Sequence, residues 1–235
     1  MKQLTVGDVT IDVVRKSIKN LHLGVYPPNG RVRVAAPLRL SDDSVRLFVA
    51  SKLPWIRKQQ AQFAGQERQT EREYVRRESH YVWGKRYLLN VIEHNAAPRV
   101  ELRSKTYLDL YVRPGASEAT RRQVLNEWYR DQLKAQIPDL IAKWEPIMAV
   151  AVAEWGVKQM KTKWGTCNID ARRIWLNLEL AQKPLHCLEY IVVHEMTHLL
   201  ERNHNDRFRA LLSQLLPNWQ RARAELNKFL LSAYD

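Results

Sequence analysis

The stretch VVHEMTHLLERNHND, residues 192–206, constrains this chain more than any other. Leu188, Ile191, Val192, Val193, Met196, Leu199 and Leu200 make a helix through this region apolar nearly all round. Such a helix is buried on every side, so the rest of the fold must wrap around it. The same helix carries His194, Glu195 and His198. Burying those groups is costly unless they are paired or bound to a metal.

Their spacing points to the second solution. Residues four apart on a helix leave the same face one turn apart, so His194 and His198 project together. Both imidazoles can then reach one ion at about 2.0–2.1 Å. Glu195 lies beside the first histidine and reaches a water on that ion without ligating it. HExxH thus encodes two ligands and a general base on one rigid element.

A catalytic zinc keeps three protein ligands and one open position. The spacing leaves the third ligand open. His204 follows His198 past the expected helix end, and Asn203 can take the left-handed conformation that ends a helix. The alternative is a carboxylate from the next helix, Asp206 or Glu225. Cys187 precedes His194 by two helical turns, about 10 Å, and cannot share an ion with His198. His22, His80, His94 and His186 have no partner spacing and read as ordinary histidines.

The chain has 235 residues, 45% of them hydrophobic, enough for one large domain or two small ones. Its net charge of +13 is uneven: residues 1–115 carry 21 Lys+Arg against 11 Asp+Glu, and residues 116–235 carry 17 against 14. A basic half suits a nucleic acid, a nucleotide or an acidic protein, or is simply a solvated basic face. Two cysteines, Cys167 and Cys187, read as reduced thiols rather than a disulfide framework. No apolar run approaches a membrane span, and charges interrupt the N-terminus where a signal-peptide core would lie. The expectation is a soluble, cytoplasmic protein with no membrane partner.

Short alternating runs in residues 4–35 predict an antiparallel sheet, with a turn at PPNG, residues 27–30. A helix is expected from Ser41 or Asp42, kinked or split at Pro54. Residues 65–78 are a polar connection. Strands return over 81–112, and RPGAS at 113–117 marks a boundary. A long helical region over 117–155 is expected to be divided by Pro138 and Pro146. Two extended runs flank NIDARR as a hairpin. Helices over about 184–203 and from Asp206 to the terminus complete an α+β chain. The expected domains are a basic β-rich α+β subdomain over 1–115 and a catalytic domain over 116–235.

MKTKWGTC (160–167), LN (176–177), VVHEMTHLLERNHNDRF (192–208) and LLPNW (215–219), in that order, resemble the YgjP-like metallopeptidase-fold family. RVRVAAP…WIRKQ and YVWGKRYLLNV look like its leader. The family usually reads Arg-Trp-Gly-Ser-Cys where this chain has Lys163-Trp164-Gly165-Thr166-Cys167; charge and hydroxyl survive. The resemblance implies zinc on His194, His198 and His204, with Glu195 as base. It implies a zincin-like core of active-site helix, supporting helix and small antiparallel sheet, and kinship with SprT-type and WLM-type proteases. The histidine spacing also occurs in metzincins, but Glu201 stands where those carry glycine, so the turn must be built differently.

KTKWGTC fits an edge strand beside the metal, onto which an extended peptide can pair. Gly165 would let substrate backbone approach, and Lys163 offers charge to an oxyanion or phosphate. Trp164 packs at the active-site helix or lines the cleft, Asn177 braces a ligand or the edge strand, and Asn205 and Asp206 cap the last helix. Asp206 is also a candidate to hold a ligand histidine's far nitrogen. The expected activity is zinc-dependent peptide hydrolysis. The alternatives are pyrophosphohydrolysis of nucleoside triphosphates on the same ion, or a protease docked on nucleic acid.

Overall fold

The computed structural model describes residues 2–26, 29–64 and 72–228. Pro27 and Pro28 of the expected turn, residues 65–71 of the polar connection and residues 229–235 of the last expected helix lie outside them. The described residues fall into two compact units, residues 2–64 with Lys228 and residues 72–227.

The first unit opens with four strands: β1 (Lys2–Val6), β2 (Val9–Lys16), β3 (His22–Tyr26) and β4 (Arg31–Pro37). Their order is β1-β2-β4-β3. β2 and β4 run parallel, so the sheet is mixed rather than antiparallel as expected. Alternation in β2 and β4 buries Ile11, Val13, Val32 and Val34 on one face. Helix α1 (Asp42–Ala64) covers that face with Val45, Val49 and Ile56. Pro54 does not split α1. Proline removes one hydrogen bond to the carbonyl four residues back, and both Pro54 and Ala50 face solvent, where water replaces the lost donor.

The second unit repeats the plan. Strands β5 (Ser79–Val82), β6 (Lys85–Glu93), β7 (Arg99–Leu102) and β8 (Tyr107–Val112) take the order β5-β6-β8-β7, with β6 and β8 parallel. Helix α2 (Glu118–Met148) follows, capped by Ser117, whose side chain accepts from the Thr120 N–H. Ser41 does the same for the Ser44 N–H at the start of α1. α2 is one continuous helix although Pro138 and Pro146 lie inside it. Both prolines, and the residues four before them, are exposed.

The expected domain boundary at 115/116 falls between β8 and α2, inside this unit. Leu89, Leu108, Leu110 and Val112 of the sheet share one core with Leu125, Tyr129, Leu133 and Ile137 of α2, so the two halves of that junction are packed as one body.

Onto α2 is built a smaller sheet of β9 (Glu154–Lys158), β10 (Gly165–Asn168) and β11 (Arg173–Asn177), in the order β10-β11-β9. The hairpin around NIDARR pairs antiparallel, Thr166 opposite Trp175. β9 adds to β11 in parallel, so this sheet too is mixed. β9 occupies part of the segment expected to continue α2; the helix ends at Met148, and Ala149 follows in the left-handed conformation. A short 3-10 helix (Leu178–Gln182) leads to α3 (Leu185–Thr197), followed by α4 (Asp206–Leu215) and α5 (Trp219–Asn227).

α3 is the buried helix of the opening motif: Leu188, Val192, Val193 and Met196 are each fully enclosed. Its entry is fixed by the turn between β5 and β6. The Trp83 N–H donates to the Ala181 carbonyl at 2.9 Å and the Gly84 N–H to the Gln182 carbonyl at 3.2 Å. Gly84 has φ +79°, and a Cβ there would come within 2.7 Å of Pro184. On the opposite side Glu189 accepts from Lys143 at 2.6 Å and from the Trp144 indole at 3.1 Å, tying α3 to α2. The fold is therefore α+β with a helix-backed small sheet. No helix of the described residues is long and apolar enough to cross a membrane.

Candidate metal centre

α3 ends at Thr197, one residue before His198 and earlier than the sequence pattern suggests. His198 keeps right-handed backbone, φ −63°, and the chain turns directly after it. No left-handed residue makes that turn, Asn203 included. The Glu201 and Leu200 N–H groups both donate to the Thr197 carbonyl, at 2.9 and 3.0 Å. The Glu201 carboxylate accepts from the Asn203 N–H at 3.2 Å. A side chain thus builds the corner that a glycine would otherwise supply.

The turn returns His204 to α3. Ligand-capable nitrogens of His194, His198 and His204 all lie within 4.8 Å of one another. Nε2 of His194 faces Nε2 of His204 at 2.9 Å. Phe208, fully buried in the first turn of α4, floors all three imidazoles, with ring centroids 5.0, 4.8 and 4.7 Å from His194, His198 and His204. Asn205 caps α4 by accepting from the Phe208 N–H at 2.9 Å, which sets this ring in place. Phe208 carries no sequence signal beyond its position three residues after the cap.

The two carboxylates that compete on spacing go elsewhere. Asp206 is fully exposed and bonds Arg209. Glu225 pairs with His186 at 2.8 Å, where Cys187 also lies.

The donor set suits a metal dication. Burial, with His198, His204 and Arg223 adding to it, holds the His194 pKa down to about 3, and His198 and His204 are also lowered, first by burial. All three rings are neutral at pH 7 and offer lone pairs. His198 places Nδ1 at 3.2 Å from the Glu201 carbonyl; donating there leaves Nε2 free to bind. His194 Nδ1 is buried with no hydrogen-bond partner among the described residues, so what holds that ring must act through Nε2. Tetrahedral bonds of about 2.0–2.1 Å put ligand nitrogens roughly 3.3 Å apart, against 2.9 Å between His194 and His204 and at most 4.8 Å for the other pairs.

Glu195 is 4% exposed. Burial pushes its carboxyl up to about 8, against the pull of Lys163. It lies against β10: a Cβ added at Gly165 would come within 2.5 Å of Glu195 Oε1. A proton affinity near neutrality suits a group that takes and returns a proton.

Asn177 is fully buried. Its Nδ2 donates to the Met160 and Lys163 carbonyls at 2.9 and 2.7 Å, and its Oδ1 accepts from the Glu179 N–H at 3.2 Å. It braces the segment leading into β10 rather than a ligand. Lys163, Trp164, Gly165 and Cys167 line a cleft of about 1070 Å³ together with the three histidines and Glu195. Tyr190 and Arg223, which sequence reasoning missed, line it as well. Every described residue lining this cleft belongs to the second unit. Both cysteines are free thiols, their pKa values raised by burial to about 11 for Cys167 and about 12 for Cys187.

A family model described as "YgjP-like, metallopeptidase domain" matches residues 19–229. No curated protein matches the chain.

Proposed function

The chain belongs to the YgjP-like family of metallopeptidase domains, and from that premise we propose that it is a zinc-dependent hydrolase of peptide bonds. One observation carries the reading. Three neutral imidazoles converge within 4.8 Å beside a buried carboxylate that itself touches a sheet edge.

His194, His198 and His204 would hold the ion. When bound, zinc supplies Lewis acidity, lowering the pKa of a coordinated water towards 7 and polarising a carbonyl. Glu195 accepts the proton of the attacking water and returns it to the leaving amine. Its placement on α3 next to His194 fixes its reach, and its burial keeps bulk water from competing. Among the described residues β10 pairs only with β11, which leaves its outer edge for an extended peptide backbone. Gly165, at the start of that edge, presents no side chain between substrate and Glu195. Lys163 adds positive charge on the Glu195 side, where an oxyanion develops. A protein or peptide substrate and a cytoplasmic location, suited to free thiols, belong to the same reading.

A second reading, hydrolysis of nucleoside triphosphates on the same ion, draws on the cations of the cleft, Lys163, Arg202 and Arg223. A third, docking on nucleic acid through the basic N-terminal half, would show as steep salt dependence of binding.

The deciding experiment incubates zinc-loaded protein with denatured casein and with nucleoside triphosphates in parallel, with Glu195→Gln as blank. Casein cleavage lost in the variant supports the peptidase. Pyrophosphate release alone, lost in the variant, replaces it with nucleotide chemistry.

A further inference from the structure

The charges that line the cleft are unbalanced. Apart from buried Glu195, its described lining holds Lys163, Asp170, Arg173, Arg202 and Arg223. Arg173 is paired with Glu154 at 3.0 Å. Lys163, Arg202 and Arg223 are exposed, and no carboxylate lies within ion-pair distance of them among the described residues. Three cations without an ion pair among the described residues therefore face one exposed carboxylate, Asp170. A concave site of one sign concentrates ligands of the opposite sign.

These cations act on different groups of the site: Lys163 on Glu195, and Arg223 on His194 and His204. Lys163 lies just before β10, on the Glu195 side. Arg202 follows Glu201 in the turn beyond His198. Arg223 projects from α5 on the side of His194 and His204. There Tyr190 stacks on Trp219, 6.2 Å and 15° between the rings, and the Arg223 guanidinium lies 5.8 Å from the Trp219 ring centroid. Tyr190 also meets His194 edge-on at 5.8 Å. Arg223 is thus placed along an aromatic wall that runs to the ligand histidines, and its only hydrogen-bond, ion-pair or ring partner among the described residues is the Trp219 ring. Charges spread along a groove, beside an open strand edge, match a peptide with separate carboxylates better than one compact polyphosphate.

Resting on the peptidase reading, we propose that the cleft selects peptides carrying a carboxylate beside the scissile bond, and that Arg223 is the residue that recognises it. The carboxylate has two possible sources, an acidic side chain or the free end of the peptide. A planar guanidinium with five donors suits either.

The test measures binding as well as turnover. Full-length, zinc-loaded Glu195→Gln protein is titrated by fluorescence anisotropy with one labelled peptide in four forms. These carry Glu, Gln or Lys on either side of the central bond, or Gln with an amidated in place of a free C-terminus. The Glu form is expected to bind about tenfold more tightly than the Gln form, with the advantage shrinking as salt rises. Preference for the free over the amidated end would name the terminal carboxylate as the source instead. Arg223→Gln should bring the preference close to one. Arg221→Gln, on the same helix but lining a different groove, should preserve it. In the active enzyme the preference should fall mainly on KM.

Equal binding of all forms overturns the proposal, as does a preference that survives in Arg223→Gln. If casein is still cleaved and cleavage still needs Glu195, only the carboxylate preference has failed. If no peptide binds or is cut while nucleoside triphosphates are hydrolysed, the peptidase reading itself has failed.

Discussion

Replacing Gly165 by Ala tests the placement of Glu195 without touching Glu195. An added Cβ would lie 2.5 Å from Oε1, 2.8 Å from Cγ and 2.9 Å from Cδ of that side chain. Carbon–oxygen contact distances are about 3.3 Å, so the carboxylate has to retreat by roughly 0.8 Å. The overlap involves the whole arm rather than its tip, so a rotation of the carboxylate alone does not relieve it. The side chain is enclosed, and overpacking of this kind costs about 1–2 kcal/mol of stability. A displacement near 1 Å at a reacting group costs on the order of 100-fold in rate, or about 2.7 kcal/mol. Gly165→Ala should therefore keep its fold and its zinc affinity, measured by competition with a chromophoric chelator, and lose about 100-fold in kcat/KM on labelled casein. The same change made in Glu195→Asp should cost far less, because the shorter arm has already withdrawn from the Cβ. Full activity of Gly165→Ala, or an equal loss in both backgrounds, would refute the argued contact.

Further outcomes follow from other parts of the site. His204→Ala should weaken zinc binding by at least 100-fold while Asp206→Ala leaves it unchanged; the reverse order would return the third position to a carboxylate. Asn177→Ala should lower stability by about 2–3 kcal/mol by stranding the groups it braces, and it should lower kcat beyond what the unfolded fraction explains. Comparing zinc-saturated activity with chemical denaturation separates the two effects. Lys183 is held down to about 8, first by burial, with Glu179 opposing. The unfolded chain then binds more protons between about pH 8 and 10.5, so stability from this group is gained as pH rises through that window, by on the order of 3 kcal/mol. Lys183→Met should remove that increment from denaturation curves measured at pH 8 and pH 10.5; identical slopes would mean that the ammonium is better solvated than its burial indicates.

The centre was legible in the sequence because most of it is local. His194, Glu195 and His198 lie within five residues on one helix, and helical geometry alone sets their relation. Spacing brought His204 into range but left carboxylates as rivals, since a turn without glycine has no signature. The corner depends on where the Glu201 side chain bonds. Less was visible where partners are distant in sequence. The parallel pairings of β2 with β4 and β6 with β8 join strands separated in sequence by another strand, and the short runs themselves read alike in either direction. Pro54, Pro138 and Pro146 read as breaks but sit on solvated faces, where the missing donor is cheap. Phe208 and Arg223 reach the cleft only because α4 and α5 pack back on α3. Asn177 shows the opposite case: a polar residue at a strand end, read as a brace for a ligand or the strand, turns out to hold the backbone that carries Lys163 into the cleft.

The repeated plan of four mixed strands and a serine-capped helix has a consequence for how this chain can change over time. The first copy closes its own core and lends no described side chain to the cleft. The second copy carries the chemistry as an addition after α2. Selection for turnover and selection for surface character therefore act on separate stretches of sequence. Residues such as Leu47 or Trp55 can drift towards a new partner without any charge or ring around His194 being disturbed, so lineages that share the centre are free to differ in what they bring to it.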